Sequence, residues 1–325
     1  MNSFYKERVM EQTNNKPTAA EVTVAISTRD RPDALKRCLD ALLSGTVLPS
    51  QAVIVDQSSN DRTRALIEAS PASSIPLRWI RHQGTGLGTS QNIAFAHARC
   101  PIVAVIDDDC IPTPNWLEVI ARAFQAPNAV DVLTGRVLPL GADQPGLYAV
   151  SSRTSTVRTE FESNAMPWEI GSGNNFAAQT SWLKRIGGND ERLGPGSPGQ
   201  GGVDMDLFYR LLRAGARIRY EPDLLVYHER TTKAGRITRR SMYGHGMGAA
   251  CLIHLRQHDW NALRMLGRWL AMRTTRMWQA LFHGHWLGVY EELLVLEGTM
   301  RGMVYGLRVS DHREPQFERA TSNVH

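Results

Sequence analysis

Three consecutive carboxylates, Asp107-Asp108-Asp109, follow the apolar run Val103-Ala104-Val105-Ile106 and precede Cys110-Ile111-Pro112. Adjacent carboxylates repel one another, so the cluster is costly to keep unless a cation or protons neutralise it. A hard divalent metal, Mg²⁺ or Mn²⁺, is the natural partner, because such ions favour oxygen ligands and leave positions open for water and substrate phosphates. On an extended chain Asp107 and Asp109 share one side, so one pair can hold a metal while Asp108 reaches elsewhere. The inert alternative is a solvated acidic loop before the helix that follows Asn115. Two further carboxylates stand in comparable places. Asp56 ends a second apolar run, Ala52-Val53-Ile54-Val55, and Asp204 lies in Val203-Asp204-Met205-Asp206, just after a glycine-rich stretch. Asp204 precedes Leu207 and Phe208 by three and four residues, which puts it on their inward helical face, whereas Asp206 is expected to point away. Favourable placement at a helix N-terminus is the structural alternative for both.

Carboxylates at strand ends need a sheet to carry them. Val22-Thr23-Val24-Ala25-Ile26 predicts a first strand, followed by the polar turn Ser27-Thr28-Arg29-Asp30-Arg31 and then Pro32 in the first turn of a helix. That helix carries the stripe Leu35, Cys38, Leu39, Leu42 and Leu43, spaced to bury one face, and ends at Gly45. Strands at 52–56, 77–80 and 103–106 alternate with helices at 62–69, from Gly88 through Ala98, and from Pro114. This alternation predicts an α/β fold with a mostly parallel sheet flanked by helices, whose ligands bind outside the carboxyl ends of the strands. Gly84-Thr85-Gly86-Leu87-Gly88 has Thr89 where a dinucleotide-binding fingerprint needs its third glycine, so it reads as a flexible turn. Residues 141–164 form a polar stretch that reads as a loop. Residues 194–202, rich in Gly, Pro and Ser, have the composition of a lid. A helix stopped by Gly215 follows.

With 325 residues, 42% hydrophobic and 21% charged, the chain is globular rather than disordered, with room for about two domains. Its net charge of +5 and pI near 9.2 suit an anionic partner. Four cysteines without knuckle spacing make neither a disulfide framework nor a zinc site. Together with the polar N-terminus and the absence of a long apolar run, they give the expectation of a cytoplasmic protein.

Over residues 22–228 these motifs resemble the inverting glycosyltransferases of family 2. The resemblance implies the GT-A fold, a Rossmann-like mostly parallel sheet, and metal-dependent transfer of a sugar from a nucleotide-diphosphate donor to a hydroxyl acceptor, as in a hexosyltransferase. It implies that Thr28, Arg29, Asp56, Asp107 and Asp108 bind the donor. Asp109 is implied as ligand to Mn²⁺ or Mg²⁺. Gly171-Ser172-Gly173-Asn174-Asn175-Phe176, with Trp168, is implied on the acceptor side, and Asp204 as catalytic base. Val203 stands where the family pattern has Glu, and Ser27 and Asp30 stand where it more often has Pro and Asn. Inversion by single displacement needs a base for the acceptor hydroxyl and positive charge on the leaving diphosphate. His228 is assigned to the metal or diphosphate, with Arg230, Lys233 and Arg236 as helpers, Arg236 above all.

Residues 231–312 read as a basic, amphipathic helical extension, with Arg264, Arg268, Arg273 and Arg276 among Trp, Met and Leu. Such helices either pack on the catalytic domain with Arg heads in water or attach the protein peripherally to an anionic membrane, at its inner face, where a lipid-linked acceptor would be found. No motif supports nucleic-acid binding. Residues 1–20 and 313–325 are expected as tails, and 21–230 as the nucleotide-sugar-binding domain. Two competing classes remain. A haloacid-dehalogenase-type phosphohydrolase also places D-x-D after a strand but gives Asp56 no role, and a non-catalytic sugar-binding or scaffold protein is favoured only by Val203.

Overall fold

The computed structural model describes residues 19–69 and 75–310, so the expected tails, 1–20 and 313–325, lie outside the described residues except for Ala19 and Ala20, which open the first strand. The first half alternates as its hydrophobic periods require. Strand β1 (Ala19–Thr28) leads to helix α1 (Pro32–Leu43), β2 (Leu48–Asp56) to α2 (Arg62–Ala69), β3 (Leu77–Arg81) to α3 (Leu87–Ala96), and β4 (Ile102–Ile106) to the short β5 (Cys110–Pro112) and α4 (Trp116–Gln125). Then come β6 (Val132–Pro139), β7 (Leu147–Tyr148), β8 (Thr159–Phe161), α5 (Pro167–Ile170), β9 (Asn175–Gln179), α6 (Thr180–Arg185), α7 (Val203–Arg213), β10 (Ile218–His228) and β11 (Thr231–Thr232). Three long helices close the described chain: α8 (Lys233–Arg256), α9 (Asn261–Phe282) and α10 (Trp286–Arg308).

The main sheet has the order β3-β2-β1-β4-β9-β6-β10-β5, with β8 also paired to β10, while β7 and β11 form a separate two-stranded sheet. Strands β1, β2, β3 and β4 are parallel; β9 runs against both β4 and β6, and β6 and β10 are parallel to each other. The two-residue strand period divides the core. Val24, Ile26, Ile54, Ala104 and Ile106 face the layer holding α1 and α4, whereas Ala25, Val53, Val55, Val103 and Val105 face α3 and α7. Helix α1 buries Leu35, Cys38, Leu39 and Leu42, and α7 buries Leu207, Phe208, Leu211 and Leu212. Each such side chain contributes roughly 1.5–3 kcal/mol by leaving water.

Three expectations meet corrections here. The stretch 194–202 is not a loose lid: Leu87 N–H donates to the Pro195 carbonyl at 2.9 Å, Thr85 Oγ1 to the Gly196 carbonyl at 3.0 Å, and Gly202 lies against the backbone of Gly246. Its glycines permit close backbone packing between α3 and α8. Asp206 does not face water either. It is buried, paired at 2.7 Å with Arg210 and at 2.7 Å with His254 of α8, because α8 covers that face of α7. The carboxylates after β4 sit in a turn closed by Cys110 N–H donating to the Asp107 carbonyl at 3.1 Å, so the two-sided extended pattern does not hold there.

The glycines of Tyr243-Gly244-His245-Gly246-Met247-Gly248 serve helix packing. A Cβ on Gly244 would lie 2.0 Å from the Val295 carbonyl oxygen, and one on Gly248 would lie 2.1 Å from that of Thr299. From α10, Cβ atoms on Gly298 and Gly302 would lie 2.2 and 1.9 Å from the carbonyl oxygens of Ser241 and His245. Helices α8 and α10 therefore touch backbone to backbone. Gly246 faces the other way, onto Gly201 and Gly202.

Candidate active site

The carboxyl ends of β1, β2 and β4 place the candidate residues on one rim. Thr28 lies in register with Asp56, and β4 runs straight into Asp107. Thr28 Oγ1 donates to Asp108 Oδ2 at 2.7 Å. Arg31, at the start of α1, straddles the cluster: Nη2 is 2.5 Å from Asp108 Oδ1, and Nη1 donates to Asp109 Oδ2 at 2.6 Å. Burial alone would lower the guanidinium pKa, but Asp108, Asp109 and Asp107 raise it above its ordinary value. Burial pushes Asp108 up to about 7 against the opposing pull of Arg31. Asp107 is likewise raised to about 7, by burial and by the charge of Asp109, with Asp204 adding to the effect and Arg31 and Arg239 opposing it.

His228 ends β10 directly across from Cys110 of β5. Its Nδ1 lies 2.6 Å from the Glu229 carbonyl oxygen, which can only accept, so Nδ1 carries the proton. In the neutral ring Nε2 then keeps its lone pair, and it lies 3.6 Å from Asp109 Oδ1. Asp109, Cys110 and His228 are all buried and bring ligand atoms within 4.8 Å of one another. Asp109 Oδ1 is buried and accepts no hydrogen bond among the described residues. An orphaned carboxylate oxygen beside an imidazole lone pair is a donor set that fits a divalent cation. Burial and the neighbouring carboxylates raise the Cys110 thiol well above its ordinary pKa.

Asp56 is fully buried. Its carboxylate accepts from Ser58 N–H at 2.9 Å and Trp79 Nε1 at 3.2 Å, with Arg81 3.8 Å away. Asp30, at φ 54°, joins the turns after β1 and β2 by accepting from Ser59 N–H and Oγ at 2.9 Å each. Asp204 opens α7, its Oδ2 accepting from Gly173 N–H and its Oδ1 from Met205 N–H, both at 3.0 Å. Burial raises its pKa, and these N–H donors and the charge of Arg153 work against that rise. A carboxylate fixed by two backbone donors and raised above its ordinary range is suited to taking a proton. Next to Gly173, Asn174 is buried, and neither its Oδ1 nor its Nδ2 has a hydrogen-bond partner among the described residues. An amide left unpaired costs free energy unless a ligand or water answers it.

Not every expected residue reaches this rim. Asn175 is committed to the core: its Oδ1 accepts from Trp116 Nε1 at 2.9 Å, and its Nδ2 donates to the carbonyls of Arg136 and Leu224 at 2.9 and 2.8 Å. It binds α4, β6 and β10 together and has no group left for an acceptor. Arg236 donates twice to Glu291 of α10, at 2.5 and 2.8 Å, and stacks 5.1 Å from the Tyr148 ring centroid. Arg230 is paired with Asp143 at 2.7 Å. The Arg29 guanidinium is exposed, with Asp30 at 3.8 Å. Trp168 packs on Trp269 of α9 with ring centroids 5.5 Å apart. The sequence reading gave no role to Arg31 or Cys110, and it set Gly173 in the acceptor-side segment without its bond to Asp204. Arg31 was legible as a cation three residues after Thr28 and just before a Pro-started helix; the other two carry no signal without the pairing of β5 with β10 and the approach of α7 to β9.

The glycosyl transferase family 2 model matches residues 23–172. The pre-mycofactocin glycosyltransferase of Mycobacterium tuberculosis (strain ATCC 25618 / H37Rv) is 26% identical over 302 residues, or 91% of this chain, which spans 60% of that protein's length. The succinoglycan biosynthesis protein ExoO of Rhizobium meliloti (strain 1021) is 25% identical over 225 residues, covering 67% of this chain and 64% of that one. Among solved structures, the mannosyltransferase PcManGT from Pyrobaculum calidifontis, in complex with GDP-Man and Mn²⁺, superposes with a TM-score of 0.60 at 17% identity, over 89% of this chain and 90% of the other. Residues 1–349 of TarS from S. aureus give a TM-score of 0.55 at 17% identity, over 71% of this chain and 64% of that one. These likenesses show the fold.

Proposed function

We infer that this chain, which belongs to glycosyltransferase family 2 and has the GT-A fold, is an inverting, metal-dependent enzyme that transfers a sugar from a nucleoside-diphosphate donor to a hydroxyl acceptor. The observation that carries this reading is Asp204, held by Gly173 and Met205 N–H within electrostatic reach of the carboxylate cluster after β4. In this reading Asp56 and Thr28 line the nucleoside end of the donor site. Asp107 and Asp108 bind the donor at its ribose, and Arg31 fixes Asp108 and Asp109 in place. Asp109 and His228 would hold a divalent cation, with Cys110 beside them; PcManGT was solved with GDP-Man and Mn²⁺, which supports a donor and an ion of these classes. When bound, the ion supplies positive charge to the departing diphosphate.

Asp204 takes the proton of the acceptor hydroxyl, whose oxygen forms a bond to the anomeric carbon on the face opposite the diphosphate. The bond from that carbon to the phosphate oxygen breaks in the same step, and the nucleoside diphosphate leaves with the electron pair. One displacement inverts the anomeric centre. The unpaired amide of Asn174 would bind a sugar or acceptor hydroxyl, and Trp168, packed on Trp269 of α9, is the further acceptor-side residue of this reading. Acceptors of this class include saccharides, lipid-linked glycans and small hydroxylated molecules. The phosphohydrolase reading gives no account of the buried Asp56.

The test measures thermal stability against a panel of nucleoside diphosphates and nucleotide sugars, with and without Mn²⁺. A ligand that binds only the folded state at a hundredfold over its Kd adds about 2.7 kcal/mol. One nucleoside diphosphate should stabilise the protein only with metal present, and Asp204→Asn should keep that shift while losing transfer. No stabilisation of the folded protein by any of them, or turnover retained in Asp204→Asn, would overturn the reading.

A further inference from the structure

The inner face of α10 is sealed by its glycine contact with α8, yet its outer face is also apolar. Trp286, Tyr290, Leu293, Met300, Val304 and Leu307 are all exposed and follow one another at steps of four, three, seven, four and three residues. Those steps trace one stripe along the helix, interrupted only by Glu297. Across the short turn that joins α9 to α10, Trp278, Leu281 and Phe282 are exposed as well, Phe282 by 83% and Trp286 by 71%. Large aromatics gathered at the apex of a helical hairpin, continuous with an apolar stripe, form a larger unpartnered patch than scattered surface residues make.

Charge selects the occupant. Both acids at the start of α10 are buried and answered: Glu291 by Arg236 and Arg240, Glu292 by Arg273 at 3.4 Å. Glu297 is paired with Arg301 at 3.4 Å. Arg268, Arg276 and Arg308 are exposed and have no ion-pair partner among the described residues. The two helices that carry the apolar patch therefore also carry exposed arginines with no acid to answer them. A second copy of the same face would bring arginines against arginines, whereas anionic headgroups would neutralise them. Among the described residues no helix is long and apolar enough to cross a membrane, so the fit is to a helix lying in the interface plane, with Trp and Tyr at headgroup depth.

We propose that the outer face of α10 and the aromatic apex of the α9–α10 hairpin dock this protein on an anionic lipid bilayer. The inference does not depend on the catalytic reading. It is tested by co-sedimentation of the full chain with vesicles of phosphatidylcholine alone and of phosphatidylcholine with phosphatidylglycerol, comparing the natural protein with Phe282→Ser/Trp286→Ser. Both side chains stand in water, so the variant should keep its circular dichroism and its unfolding midpoint. The natural protein should partition at least tenfold more strongly onto the anionic vesicles, and the double variant should lose at least tenfold of that partitioning. Equal binding to the two vesicle types, no binding by folded protein, or binding unchanged in the double variant would each overturn the proposal. So would analytical ultracentrifugation that finds a dimer dissolved by the same substitutions, since a second copy would then be the occupant.

Discussion

The base assignment can be tested by adding one methyl group to a residue that does no chemistry. A Cβ built on Gly173 would lie 2.7 Å from Asp204 Cβ and 3.3 Å from its Oδ2. Real Cβ contacts essentially never fall below 3.0 Å, and ordinary contact begins at 3.4 Å. In Gly173→Ala the carboxylate must therefore shift by 0.3 Å at the least (3.0 less 2.7) and by 0.7 Å for full relief (3.4 less 2.7). A misplacement of about 1 Å at a reacting group costs on the order of a hundredfold. Scaled to this range, kcat should fall about 4- to 25-fold, which is about 0.8–1.9 kcal/mol of barrier. The same shift stretches the Gly173 N–H to Asp204 bond, which holds the carboxyl pKa down. Transfer needs Asp204 ionised, so rate is lost as pH falls through its pKa. The natural enzyme should lose rate above the usual carboxylate range, and the variant should lose it at a still higher pH. The assay follows nucleoside diphosphate release from the nucleotide sugar identified by thermal shift, with kcat and KM determined from pH 5 to 9. An unchanged kcat and an unchanged acid limb in folded Gly173→Ala would refute Asp204 as the base.

Two further outcomes follow from the geometry. Asp109→Ala removes the orphaned oxygen beside His228 but leaves Arg31 its partner Asp108; calorimetric titration should show at least a tenfold loss of the Mn²⁺-dependent part of nucleoside diphosphate affinity, and equal affinity with metal present would remove Asp109 as a ligand. Gly302→Ala sets a Cβ 1.9 Å from the His245 carbonyl oxygen, an overpacking cost of about 1–3 kcal/mol or more that the helix preference of Ala offsets only by about 1 kcal/mol. Gly267→Ala, whose Cβ meets nothing within 4 Å, should instead stabilise by roughly 0.5–1 kcal/mol. Urea unfolding of the pair checks both signs, and equal midpoints would mean that α8 and α10 are not in backbone contact.

The parallel half of the sheet was legible because local signals there agree with the tertiary structure. Five apolar residues on one stripe gave α1, and apolar runs ending in carboxylates gave β2 and β4 together with their rim. The antiparallel insertion of β9 between β4 and β6 was not legible. Asn175-Phe176-Ala177-Ala178 looks like the approach to a helix, and only long-range pairing with Val105 and Thr134 makes it a strand. The site divides the same way. Asp56 and the three carboxylates after β4 stood out because a charge at the end of an apolar run is conspicuous, and Asp204 because it shares a helical face with Leu207 and Phe208. Asn175 and Arg236 were given roles in the site because a sequence does not show which partner takes a polar side chain first: for Asn175 it is an indole and two carbonyls, for Arg236 a glutamate 55 residues away.

The contact between α8 and α10 also limits how this protein can change. At most interfaces a larger residue on one side can be accommodated by a smaller one opposite. Here Gly244, Gly248, Gly298 and Gly302 each press on a main-chain carbonyl oxygen, and a carbonyl cannot be trimmed. No residue is smaller than glycine, so no second mutation on the facing helix can restore the fit. These four positions have no route of compensatory drift. Because Gly246 on the same helix presses on Gly201 and Gly202, two residues before Asp204, the limit extends through α8 to the backbone that sets the candidate base.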